Sequence, residues 1–239
     1  MRADALPPAH SAENVDVTFY EGTPAALTMK LAMIVERTAA MVPTARGSNS
    51  TVWRFLPARR GVVNGDDQAG FALKRCHPNP ATGRRCPPHE FGYLSRLSSP
   101  LFPRAIGQGI MGNGDYVLIS EWIDGRNLAR HSLTILTEFV EEGGYEAFCN
   151  DLLEIHRLLM AAGIEHSDIW EPNIIVRDRR PVLIDFGWAH ALGEPPLTAT
   201  LHQPDDTMAL NQLLKRLGAL YDLLLLESQI KAHVSGART

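Results

Sequence analysis

His166-Ser167-Asp168-Ile169-Trp170-Glu171-Pro172-Asn173-Ile174-Ile175-Val176, followed after a charged turn by Val182-Leu183-Ile184-Asp185-Phe186-Gly187, is the stretch that decides the fold. Its two apolar triplets are too short for helices, so they predict a pair of short strands around the turn Arg177 to Arg180. Polar residues flank those strands: Asp168 and Asn173 before the first, Asp185 after the second. Strands with polar residues at their ends present those side chains at one rim of a small sheet. Two carboxylates and a carboxamide are hard oxygen donors, suited to Mg2+, which takes few protein ligands together with substrate phosphates. Phosphoryl transfer needs positioning and charge neutralisation more than covalent chemistry. One carboxylate to orient a hydroxyl and two groups to hold metal meet that need.

Outward from this stretch, Tyr145 to Ala162 carries Phe148, Leu152, Ile155, Leu159 and Met160 at helical spacing, with Gly163 suited to the stop. Leucine-rich Thr207 to Glu227 predicts a last helix. Towards the N-terminus the texture changes to short alternating runs. Strands are expected at Thr51–Leu56, Phe71–Lys74, Ala105–Gly109 and Tyr116–Ile119, with one helix at His89–Leu97 among them. Thr23 to Met41 predicts a further helix, stopped by Pro43, after a polar tail of about 15 residues. The class is α+β: a strand-rich half, then a helical half, joined near residues 121–125.

The spacing His-x-Asp-x-x-x-x-Asn, followed by Asp-Phe-Gly, resembles the catalytic and metal motifs of protein kinases. The resemblance covers roughly residues 44 to 225. It implies a two-lobed protein-kinase-like fold, with a tail and extra helix over 1–43, a strand-rich N-lobe over 44–121 and a reduced helical C-lobe over 122–239. It also implies ATP and Mg2+ as cofactors, with Asn173 and Asp185 holding the metal and Asp168 accepting or orienting the acceptor hydroxyl. Lys74, on Phe71-Ala72-Leu73-Lys74, resembles the strand lysine that contacts the α- and β-phosphates; Glu90 resembles the helix glutamate that holds it. Tyr116 to Gly125 resembles the last N-lobe strand and hinge, so backbone groups of Glu121 and Ile123 would meet the adenine edge. Gly47-Ser48-Asn49-Ser50-Thr51-Val52 resembles a worn phosphate loop that keeps Gly47 and Val52, with Ala45 and Ser50 in place of the other glycines. Ala72 completes the implied nucleotide-binding set.

Departures from the pattern bear on substrate and regulation. Ser167 stands where many protein kinases carry an arginine that pairs with a phosphorylated loop. Trp170 stands where serine/threonine kinases carry a lysine, and no basic residue lies between Asp168 and Asn173. Only 52 residues follow Gly187, without an Ala-Pro-Glu motif. These features resemble small atypical members such as the Bud32-like, RIO and lipopolysaccharide-core kinases. Asp205 and Asp206 precede the last helix; one could hold the catalytic-loop backbone, or act as an N-cap. The expected activity is ATP-dependent transfer to a protein Ser/Thr or to a small molecule such as a sugar. The alternative is a pseudokinase serving as a nucleotide- or partner-binding module.

Composition narrows the remaining possibilities. A net charge of −4 gives no basic field for nucleic acid. The N-terminus lacks the apolar core of a secretory signal and no run is long enough to span a bilayer. Three cysteines without a pairing pattern suit a reducing cytoplasm. Cys76, His77, Cys86 and His89 could be drawn as a zinc site, but Cys76 and His77 would point to opposite faces of a strand, so incidental residues are the expectation. His166 is expected to brace the loop and His156 to lie partly buried on its helix. Arg179 and Arg180 are expected on a solvated turn, and Leu220 to Leu226 in the core.

Overall fold

The computed structural model describes residues 15–19, 44–46, 50–55, 70–76, 90–111, 114–194 and 205–236. Gly47, the helix expected over 23–41, and His77, Cys86 and His89 lie outside the described residues. The fold is α+β as expected, sheet-rich in its N-terminal part and helical in its C-terminal part, the arrangement of a two-lobed kinase-like fold. By contacts the chain forms two compact units: residues 1–86 with 106–120, and residues 87–105 with 121–239.

The first unit is built on a six-stranded sheet. Its strands are β1 (Val15–Phe19), β2 (Ala45–Arg46), β3 (Ser50–Phe55), β4 (Phe71–Cys76), β5 (Ala105–Met111) and β6 (Tyr116–Glu121), in the order β1-β5-β6-β4-β3-β2. Alternation decides which faces are buried. Trp53 and Phe55 on β3, and Phe71 and Leu73 on β4, are buried while their strand neighbours are half-buried; Cys76, on the other face of β4, breaks the alternation and is buried too. β3 and β4 pair antiparallel, with Val52 opposite Lys74 and Arg54 opposite Ala72. Buried Asp115 is neutralised by Arg75 at 2.5 Å, so its burial leaves no lone charge. β1 was not anticipated. It pairs antiparallel with β5, Val17 opposite Gly109.

The second unit holds α1 (Glu90–Leu94), β7 (Arg126–Asn127), α2 (Leu128–Glu142), α3 (Tyr145–Ala161), β8 (Ile164–Glu165), a 3-10 turn (Glu171–Asn173), β9 (Ile174–Arg177), β10 (Arg180–Leu183), β11 (His190–Ala191) and α4 (Asp206–Gly236). α3 buries Phe148, Leu152, Ile155 and Leu159, the stripe its spacing foretold, against Leu136, Phe139, Leu213 and Leu217. Met160 of that stripe is exposed instead, one position beyond the buried face. α1 is shorter than the helix expected over residues 89–97. α4 runs past Glu227 to Gly236. Leu213 and Leu217 are in the core and Leu220 and Leu224 pack against it, but Leu223 and Leu226 are exposed, so only part of the leucine run is core. Among the described residues no helix is long and apolar enough to cross a membrane.

β9 and β10 form the hairpin read from the sequence, Arg177 opposite Arg180 and Val182 opposite Ile175. Its two-residue turn puts Asp178 and Arg179 at positive φ, 50° and 66°, the primed turn geometry that matches strand twist. The arginines there are not merely solvated. Arg179 bonds Glu142 at 3.0 Å and the Gly143 carbonyl and lies over the Phe139 ring, while Arg180 grips Asp151 through two bonds of 2.8 Å. β7 joins β9 as a third strand. The chain enters β7 through Gly125, where an added Cβ would meet the Val176 carbonyl oxygen at 2.5 Å and Ile175 Cγ2 at 2.8 Å. Gly125→Ala is therefore expected to cost about 1–3 kcal/mol through forced backbone shifts, read by urea unfolding.

Candidate active site

The motif residues of the second unit are brought together by backbone, not by chance packing of side chains. Pro172 and Glu171 close a 3-10 turn in which the Asn173 amide donates to the Trp170 carbonyl at 3.0 Å. That turn aims the Asn173 side chain back at Asp168. Its Nδ2 donates to the Asp168 carboxylate at 2.7 Å and to the Asp168 carbonyl at 2.9 Å. With both bonds taken by nitrogen, the Asn173 Oδ1 is the atom left to face a cation. The Asn173 carbonyl accepts the Ile184 amide at 2.9 Å, which sets the residue before Asp185 alongside Asn173. The Asn127 side-chain amide donates to the Pro172 carbonyl at 2.7 Å, and Glu171 is gripped by Arg216 at 2.8 and 3.0 Å. Burial works to raise the Glu171 carboxyl, but Arg216 and the Glu171 backbone outweigh it and hold it below the usual range. Trp170 is largely exposed.

Asp185 is exposed and sits at φ 65°, a left-handed conformation in which aspartate is among the tolerated residues. Its carboxylate accepts the Gly187 amide at 3.3 Å, a local turn that supports this geometry. Between them, Phe186 is buried and holds the segment down, packing edge-on to His166 at 4.7 Å and to Phe102 at 6.1 Å. His166 is fully buried and braces the loop through that ring contact and through its backbone. Glu90, at the first turn of α1, is 2% exposed and accepts the Phe186 amide at 3.1 Å. The sequence had offered Glu90 only as a partner for a lysine. A bond to the backbone of the Asp-Phe-Gly segment carries no signature that spacing could reveal.

Asp205 and Asp206 divide the two roles foreseen for either. Asp205 caps α4, its side chain accepting the Met208 amide at 2.7 Å. Asp206 is buried and accepts the amides of His166 at 2.6 Å and Ser167 at 2.8 Å, so it is the residue that holds the loop. Burial pushes the Asp206 carboxyl above its ordinary value, against the opposing pull of the two amides. His156 is half-buried and approaches the Thr207 hydroxyl at 3.2 Å.

Glu121, at the end of β6, is anchored rather than loose. Its amide donates to the Arg104 carbonyl at 2.9 Å, and its carboxylate takes Arg177 at 2.6 Å and the Arg104 amide at 3.2 Å. Ile123 is buried. In the first unit, Val52, Ala72 and Lys74 lie on the paired strands β3 and β4 and are each half-buried. Among the described residues no group of three or more His, Cys, Asp or Glu side chains could hold a metal ion, and Cys76 is buried and in no disulfide. Asn173 and Asp185 together offer a donor set of the kind Mg2+ uses, which needs only one or two carboxylates beside phosphate oxygens.

No protein-family model matches the chain. Over 128 residues it is 31% identical to the probable serine/threonine-protein kinase YbdM of Bacillus subtilis, a match covering 52% of this chain and 49% of that protein. The chain thus spans about half the length of that relative.

Proposed function

We propose that the chain is an ATP-dependent phosphotransferase that delivers the γ-phosphoryl group to a hydroxyl of a protein Ser/Thr or of a small polar molecule. One observation carries this reading: the Asn173 side-chain amide donates to the Asp168 carboxylate while the Asn173 carbonyl accepts the amide of Ile184, the residue before Asp185. A base position and two oxygen-ligand positions share one hydrogen-bonded frame.

Mg-ATP, when bound, supplies the transferable phosphoryl group and much of the charge neutralisation. In this reading Asn173 Oδ1 and the Asp185 carboxylate are the metal ligands. The Asp168 carboxylate, oriented by Asn173, receives or directs the proton of the acceptor hydroxyl. Lys74 contacts the nucleotide phosphates. Glu90 supports the Asp185 segment through the Phe186 amide, besides the lysine-holding role its position suggests. The Glu121 amide is already used by Arg104, so its carbonyl, with the Ile123 amide, is the adenine-binding pair. Val52, Ala72 and Gly47 complete the nucleotide set. Finer placement, with the small atypical kinases, rests on Ser167 and Trp170.

The test is γ-labelled ATP with Mg2+ incubated with cell extract, then separated into protein and small molecules. Label in one fraction names the acceptor class. Asp185→Ala is expected to abolish the signal, at least 100-fold, because half of the metal ligand set is lost; undiminished transfer would refute the metal assignment. Mg-dependent ATP binding with no transfer to any fraction would instead select the pseudokinase reading.

A further inference from the structure

Ser167 sits at φ 61°, a strained conformation for a serine, immediately before Asp168. Three bonds hold it there. Asp206 takes its amide, together with that of His166. The third reaches its hydroxyl: Ser167 Oγ lies 3.1 Å from Nδ1 of His190 on β11. His190 is itself oriented, its Nε2 3.4 Å from the Glu165 carboxylate of β8. The register agrees, since Glu165 and His190 are directly opposed in the β8–β11 pair. Ser167 and His190 are both buried and Glu165 is half-buried, so water competes little for these bonds.

We infer that His190 is a positioning residue for the loop that carries Asp168, receiving the Ser167 hydroxyl at Nδ1 while Glu165 holds the proton on Nε2. A neutral imidazole has one N–H. If Glu165 accepts it, Nδ1 is bare and the serine O–H must be the donor. The loop is then tied to the strand after Asp-Phe-Gly by a neutral, directional bond. An arginine in place of Ser167 would need an anion opposite; the serine needs none, so the loop is set without a phosphate. One competing arrangement exists: Nδ1 is also 3.5 Å from the Trp188 carbonyl, which would draw the proton to Nδ1. Other ionisable groups near this cluster are Asp206, which feels the Glu165 charge, and His156 beyond it.

This inference rests on the phosphotransferase reading, and two measurements on the full chain keep the two apart. The first is the ring 15N shifts of His190 at about pH 8, where an ordinary imidazole is neutral. The Nε2–H tautomer is expected, and an Nδ1–H tautomer overturns the inference whatever the activity. The second is steady-state kinetics of two variants. Asparagine places its amide oxygen where Nδ1 was; glutamine reaches only the Nε2 position. His190→Gln is expected to lower kcat about 10- to 100-fold with the KM for ATP unchanged, because the misplaced group is the loop and not the nucleotide site. His190→Asn is expected to recover most of that loss. Equal impairment of both variants, or a loss confined to melting temperature, overturns the inference. If the wild type transfers no phosphate, the phosphotransferase reading fails, and the tautomer alone then decides the Ser167–His190 bond.

Discussion

Asp206→Asn is expected to destabilise the helical unit by about 1–3 kcal/mol and to lower phosphotransfer with it. The wild-type carboxyl group offers an oxygen to each of two buried amides, His166 at 2.6 Å and Ser167 at 2.8 Å. An asparagine offers one oxygen and one NH2, so one backbone N–H would face a donor with no water to replace it. The pH dependence gives an independent check. Burial raises the Asp206 carboxyl above its ordinary 3.8 on folding, so the folded state binds the proton more tightly than the unfolded chain does. Its contribution to stability is fully present below the unfolded value and is lost as pH rises through the raised folded value. The gap in unfolding free energy between wild type and Asp206→Asn, followed by urea titration upward from pH 3.8, should therefore narrow and then level off. A gap that widens with pH would mean that the two amides outweigh desolvation. No loss of stability at any pH would mean that the loop is held by other means.

Legibility followed the range of the interactions. α3 was read to within one residue because its stripe of Phe148, Leu152, Ile155 and Leu159 is local and unbroken. The β9–β10 hairpin was legible because two short apolar runs flank a charged turn. α2 was not foreseen beyond a general helical texture; it opens on Leu128-Ala129-Arg130-His131 and carries non-helical backbone at His131, which blurs its period. β7, β8 and β11 are two residues each, too short for alternation to register. β1 alternates over Val15-Asp16-Val17-Thr18-Phe19, yet its pairing with residues 107–111 is settled only by the long-range register.

In the candidate site, spacing was enough wherever chain neighbours meet. The Asp168–Asn173 bond spans five residues and follows from the 3-10 turn at Pro172. Spacing could not separate Asp205 from Asp206, because adjacent carboxylates at a helix start look alike until the helix is docked. Nor could it reveal Glu90 on the Phe186 amide or His190 on Ser167, since a side chain that bonds a distant backbone or hydroxyl needs no particular neighbour in sequence. The pattern carried the residue types; the docking of α1, α4 and β11 decides which oxygen or nitrogen serves which partner.

Asp168→Asn should lower kcat by about 10²- to 10⁴-fold while leaving the KM for ATP and the melting temperature close to wild type. The substitution is close to isosteric. Asn173 Nδ2 donates to the Asp168 carboxylate and carbonyl, and an asparagine side chain oxygen can accept the first of these bonds, so the 3-10 turn keeps its frame. What is lost is the group that can take a proton from an attacking hydroxyl. Because Asp168 is not among the proposed nucleotide or metal ligands, the loss should fall on the chemical step and spare ATP affinity. Asp185→Ala should differ, weakening Mg-dependent nucleotide binding as well as transfer. Measuring both variants by transfer of labelled phosphate and by nucleotide titration separates the roles. A fall in ATP affinity for Asp168→Asn would move that residue into the nucleotide site. Equal transfer by wild type and Asp168→Asn would mean that Asp168 is not the base, whereas nucleotide binding with no transfer by either would leave a nucleotide-binding module.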